Sequence, residues 1–95
     1  MTFDSTARDD TGVRTLSATE SRLHAIWAQT LELAAERIGP EDNFIDLGGD
    51  SISGTLCLNL IRGAFDVEIR LETLLIDAIP LRSLACDIDA RMAAR

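Results

Sequence analysis

Lysine and tyrosine are absent from this 95-residue sequence, histidine occurs once, proline twice, and all nine basic residues are arginine. Sixteen acidic residues outweigh them and leave a formal net charge of −7. Nucleic-acid binders are expected to show a basic patch or stripe, and this chain has little from which to build one. A partner with a basic surface fits the charge better. No apolar run approaches the roughly 18 residues of a membrane span. The stretch from Met1 to Asp10 has no basic region followed by an apolar one, so the expected location is the cytoplasm. The two cysteines, Cys57 and Cys86, stand far apart without CxxC spacing. Neither a disulfide framework nor a structural zinc site is thereby indicated, and both residues read as small core hydrophobes. At this length a single module can form one core but not a multilayer enzyme with its own substrate domain. Apolar residues make up 46% and charged ones 26%, enough hydrophobic content to fold.

Residues 1–16 are rich in Thr, Asp, Ser and Arg without an apolar period, and they read as a flexible leader. A domain is expected over residues 17–93. Ser17-Ala18-Thr19-Glu20 has the form of a capping box and predicts a helix start. Behind it Leu23, Ile26, Trp27, Thr30, Leu31 and Ala34 make one helical stripe, with Gly39-Pro40 as the expected stop. The segment from Glu41 to Gly49 reads as an ordered loop pinned by Phe44, Ile45 and Leu47. A second helix is predicted from Ser51 to about Ala64, weakened by Gly54 and Gly63. Phe65, Val67, Ile69 and Leu71 alternate with charged residues, which is a strand period. A lone short strand lacks a partner, so an extended connector is expected, then a short helical turn over Glu72 to Leu75. Pro80 opens a last helix in which Leu81, Leu84, Ala85, Ile88 and Met92 repeat at helical spacing. The sum is an all-α helical bundle with one long first loop.

Gly48-Gly49-Asp50-Ser51 falls where that loop meets the second helix, making Ser51 the N-cap or first residue with an exposed hydroxyl. Two glycines ahead of it remove bulk and permit unusual φ, so another molecule can come close to the hydroxyl. A helix N-terminus offers unpaired N–H groups to a phosphate ester at Ser51. Four such residues taken alone also describe an ordinary loop ending in an N-cap.

The run Asp42-Asn43-Phe44-Ile45-Asp46-Leu47-Gly48-Gly49-Asp50-Ser51-Ile52 resembles the modification motif of carrier proteins, most of all the peptidyl carrier proteins (thiolation domains) of non-ribosomal peptide synthesis. The likeness continues through Thr55, Ile61, Arg62, Phe65, Val67, Glu68 and Leu71 to Leu84-Ala85. It implies a four-helix acyl-carrier-like bundle of three longer helices and one short one. It further implies that Ser51 accepts 4′-phosphopantetheine from coenzyme A through a phosphopantetheinyl transferase, with Gly48, Gly49 and Asp50 presenting it. The arm's thiol would carry an aminoacyl or peptidyl thioester between an adenylation enzyme and condensation or tailoring enzymes, and the carrier itself would catalyse nothing. An acyl carrier of polyketide or fatty-acid synthesis, loaded with malonyl or acyl units, shares the same serine and arm. Met1 and the leader fit a free-standing type II carrier, expected to be a monomer that meets partners transiently. Asp66, Arg70 and the connection from Ile76 to Ile79 depart from the family pattern.

Glu41, Asp42, Asp46 and Asp50 lie in a window to Ile61 that contains no base, which suggests a surface that steers basic partners. Ile52, Leu56 and Leu60 are expected to form a hydrophobic docking strip beside it, if the core stripe is Ile52, Thr55, Cys57 or Leu58, and Ile61. His24 has no second histidine and is assigned no role. A hydrolase reading of Gly49-Asp50-Ser51-Ile52 fails, because the nucleophile elbow needs a preceding strand and a base after the serine, and His24 precedes it.

Overall fold

The computed structural model describes residues 17–94. Among these residues four helices, α1 (Ala18–Leu31), α2 (Ser51–Phe65), α3 (Leu71–Leu75) and α4 (Leu81–Ala94), pack as an all-α bundle, with a single 3₁₀ turn at Ala35–Arg37. The expected leader falls on residues 1–16, outside the described residues.

Helix α1 starts at its capping signal, the Ser17 hydroxyl accepting from the Glu20 backbone N–H at 3.0 Å. It stops at Leu31, well before the expected Gly39-Pro40. Glu32 takes the left-handed conformation at φ 55° and its N–H bonds the Ala28 carbonyl. Thr30 explains part of this early end, since its hydroxyl donates to the Ile26 and Trp27 carbonyls and competes with the last helical turn. Ala34, expected in the α1 stripe, therefore lies outside the helix and is exposed, while Ile38 turns inward and is buried. His24 helps hold that return: its Nε2 donates to the Ile38 carbonyl at 2.9 Å.

The long loop from 32 to 50 is pinned by Phe44, which is fully buried and meets Trp27 edge-on with ring centroids 5.3 Å apart. Leu47 is half-buried, but Ile45 is 39% exposed and does not act as the anchor expected of it. The rest of the loop's hold comes from α4. That helix has its first N–H groups satisfied from across the molecule, Leu81 donating to the Asp42 carbonyl and Arg82 to the Pro40 carbonyl, both at 2.9 Å. Pro80 sits just before α4, bridges to Asn43, and offers its carbonyl to the Leu84 N–H.

The core face of α2 is Gly54, Cys57, Ile61 and Phe65. Ile52 and Thr55, both expected in that stripe, are exposed. Gly54 is closely packed: a Cβ would lie 2.9 Å from the terminal methyl of Leu71 in α3, which would have to shift. Cys57 is buried as expected, and burial pushes its thiol up to about 12. Cys86 is exposed on α4, contrary to the core expectation: α4 turns Leu84, Ala85 and Ile88 inward and leaves position 86 outside. After α2 the chain is extended, with Val67 and Ile69 buried and Asp66, Glu68 and Arg70 outside, the connector that alternation implies.

Candidate functional site

At the junction of loop and α2, the N-cap is Asp50 and Ser51 is the first helical residue. Asp50 and Ser53 cap each other: the Ser53 N–H donates to Asp50 Oδ1 and the Asp50 N–H donates to Ser53 Oγ, both at 2.9 Å. The backbone N–H of Ser53, followed by its hydroxyl, holds the Asp50 carboxyl below the usual carboxylate range. Asp50 is therefore ionised and already occupies donors at the helix end. A phosphate on Ser51 would share that end with a carboxylate, so less of the dipole's field is left for it than the sequence suggests. The Ser51 side chain is exposed, and its carbonyl accepts from the Thr55 hydroxyl at 2.8 Å. The hydroxyl is thus presented on the first turn of a 15-residue helix whose cap is locked.

The two glycines have separate reasons. Gly48 has φ 100°, a backbone region that disfavours every L side chain, and a Cβ there would meet open space. Gly49 lies against Phe44: a Cβ would run into the ring and sit 2.8 Å from the Phe44 carbonyl oxygen, which accepts the Gly49 N–H. Its missing side chain makes room for the core from inside, not for a visiting molecule from outside.

The acidic window is less bare than its sequence. Glu41 pairs with Arg82, which α4 brings to the loop. Asp42 accepts from the Gly39 N–H at 2.8 Å. Asp46 is exposed and tied to Asn43, whose amide donates to its carboxylate at 3.0 Å. The acids largely shape the loop, and among the described residues only Glu41 of the four has its charge balanced by an arginine.

Of the expected docking strip, Ile52 is 81% and Leu56 49% exposed, whereas Leu60 is half-buried. Positions four apart drift around a 3.6-residue helix, so the third member turns toward a neighbour. Next to the outer two, Thr30, Leu31 and Glu32 of the α1 end form a groove with Gly48, Asp50 and Ser53. The early turn at Glu32 creates that groove, and nothing in the sequence foretells it. Ile76, 75% exposed after α3, is a further apolar point that sequence reasoning passed over. Its only signal was that the connection from Ile76 to Ile79 departs from the family pattern.

Residues 21–85 match a family described as the phosphopantetheine attachment site. The chain belongs to that family. Domains of this family are carriers of covalent 4′-phosphopantetheine, and carriers of this kind are generally non-catalytic. The non-canonical nonribosomal peptide synthetase FrzA of Cladobotryum sp is 35% identical over 75 residues, which is 79% of this chain and 7% of that protein. Surfactin synthase subunit 1 of Bacillus subtilis is 40% identical over 58 residues, 61% of this chain and 2% of that protein. The chain therefore spans a small part of each relative. Among solved structures, the peptidyl carrier protein in the complex of the phosphopantetheine transferase Sfp with coenzyme A is 28% identical at a TM-score of 0.72. That match covers 83% of this chain and 99% of the other. The A-PCP didomain of a carboxylic acid reductase from Segniliparus rugosus, in complex with AMP, is 31% identical at the same TM-score, covering 78% of this chain and 10% of that one. The carrier-family fold agrees with the helical bundle, and its short α3 is the extra turn anticipated after the connector.

Proposed function

We propose that Ser51 is the attachment point of the arm and that residues 17–93 act as a peptidyl carrier in non-ribosomal peptide synthesis. The observation that carries this reading is the exposed serine hydroxyl at the first position of α2, behind a reciprocally capped Asp50. In loading, Ser51 Oγ bonds the pantetheine-bearing phosphorus of coenzyme A, the bond to adenosine 3′,5′-bisphosphate breaks, and the hydroxyl proton leaves with the transferase. Asp50 and Ser53 hold the first turn, and Phe44 against Gly49 holds the approach to it, so the hydroxyl keeps one position relative to the rest of the bundle. These residues fit the group, since a covalent arm needs one exposed hydroxyl on a rigid element. Once attached, the arm supplies a thiol that carries a carboxyl group as a thioester and raises its local concentration at each partner by tethering. The chain itself then catalyses nothing. No helix among the described residues is long and apolar enough to cross a membrane.

Incubation with coenzyme A and a broad-specificity phosphopantetheinyl transferase is expected to add the mass of one arm, mapped by digestion to Ser51. No gain, or a gain mapped elsewhere, overturns the reading.

Ile52 and Leu56 supply the apolar part of the partner surface, Asp46 an acidic part of it, and Leu60 its inner edge. The double variant Ile52→Arg/Leu56→Arg is expected to fold, because both side chains are already in solvent. Acceptance of an amino acid from an adenylation enzyme should fall about tenfold or more, the equivalent of about 1.4 kcal/mol. Unchanged transfer by the folded variant would remove these residues from the interface.

A further inference from the structure

A second stripe of α2 leads away from Ser51, on a different side from Ile52 and Leu56. Residues 51, 55, 58 and 62 follow one another at three and four positions and so share one side of the helix. The Thr55 hydroxyl, bonded to the Ser51 carbonyl, continues that line one turn down. The stripe ends at a pocket of about 190 Å³ lined by Leu58, Asn59, Arg62, Glu68, Ile69 and Arg70, where the extended connector passes α2.

Reach agrees with direction. From Ser51 to Arg62 the helix rises about 16 Å at ~1.5 Å per residue. A pantetheine arm runs through about fourteen bonds from Oγ to sulfur, equal to between four and five residues of extended chain, or about 16 Å at ~3.5 Å each. An arm laid along the stripe brings its thiol to the pocket.

The lining has its own selectivity. Half-buried Leu58 and buried Ile69 form an apolar floor, and two guanidinium groups, Arg62 and Arg70, stand against one lining carboxylate, Glu68. Arg62 pairs with Glu68 at 3.4 Å and Arg70 with Glu72 at 3.3 Å, with all four side chains largely exposed. Exposed pairs of this kind are weak, so a third carboxylate can take a share of either guanidinium at little cost. Arginine also offers a carboxylate two parallel donors.

We propose that this pocket receives the end of the carrier's cargo and favours acyl or aminoacyl groups bearing a free carboxylate. Glu68 is left to meet an α-ammonium where the cargo has one. The inference rests on Ser51 bearing the arm.

Isotope-labelled protein, loaded by the transferase with adipoyl- or hexanoyl-pantetheine and verified by whole mass, separates the two claims. The adipoyl form is expected to shift the Arg62 and Arg70 Nε signals and the Leu58 and Ile69 amides relative to the hexanoyl form. Its thioester should hydrolyse about two- to fivefold more slowly. Both differences are expected to vanish in Arg62→Gln/Arg70→Gln, which changes only exposed side chains. Identical spectra for the two cargoes, or carboxylate-specific shifts that persist in the double variant, overturn the pocket while leaving Ser51 as the attachment point. Failure of the wild-type chain to gain any arm overturns the Ser51 reading and the pocket with it.

Discussion

Ser51→Ala is expected to abolish loading completely while leaving the fold unchanged. The hydroxyl is the one atom of this residue that the proposed reaction consumes, and no neighbouring side chain on the same turn can replace it. Ser53 is engaged with Asp50 on both sides of its cap. Thr55 donates to the Ser51 carbonyl one turn lower. Alanine suits the first helical position as well as serine does, and the cap belongs to Asp50, so it survives the substitution. An exposed change of this kind shifts stability by about 0.5 kcal/mol or less. Whole-mass measurement after incubation with coenzyme A and transferase, beside a thermal melt, checks both halves. An arm on the folded alanine variant would place the attachment elsewhere.

Gly49→Ala is expected to cost about 3 kcal/mol, at the upper end of what one inserted methyl does to a packed core. The added carbon would collide with the Phe44 ring and press on its carbonyl oxygen, and neither can retreat. The ring is fully buried edge-on to Trp27, and the carbonyl accepts the N–H of Gly49 itself. For a domain of this size that loss lowers the melting temperature by roughly 12–24 °C. The single tryptophan, Trp27, touches Phe44 and reports the transition by its fluorescence. Phe44→Leu in the same chain should recover part of the loss, because the smaller side chain frees space at the point of contact, and the two changes should couple by about 1 kcal/mol or more. A melting temperature for Gly49→Ala within a few degrees of wild type would show that the loop relaxes around the methyl.

Gly48 and Gly49 therefore look equivalent in sequence and are not. A pair of glycines before a serine implies an open approach to the hydroxyl, and that implication holds for the backbone of Gly48, at φ 100° and exposed. For Gly49 the reason is a core aromatic five residues earlier in the chain. No local rule connects positions 44 and 49, since the contact depends on how the loop is folded back.

The same division runs through the fold. Local signals were sufficient wherever a capping hydroxyl, a 3.6-residue stripe or a strict alternation acted over a few residues: the start of α1 at Ser17, the buried Val67 and Ile69, and the core of α4. They failed at the end of α1, where a glutamate takes the left-handed turn that glycine usually occupies. On α2 they were divided: Cys57 and Ile61 of the expected core stripe are buried and Ile52 is exposed as a docking strip requires, whereas Thr55 of that stripe lies outside. Gly54 is buried instead, a position that hydrophobicity does not mark because the residue has no side chain. Cys86 was misplaced because a single small apolar residue carries no direction of its own.

By itself the sequence determined that the chain is acidic and that its helices form an all-α carrier-type bundle, and it singled out Ser51, behind Gly48-Gly49-Asp50, as the proposed attachment point. Composition, periodicity and a contiguous motif are all local, and they survive without knowledge of the fold. Tertiary structure decided what surrounds the serine. It brought Arg82 to Glu41, seated α4 on the carbonyls of Pro40 and Asp42, exposed Ile52 and Leu56, and set Arg62 and Arg70 around one pocket. Each of these joins residues distant in the chain or depends on how a helix is rotated about its axis. Both are fixed only when the helices close over a common core.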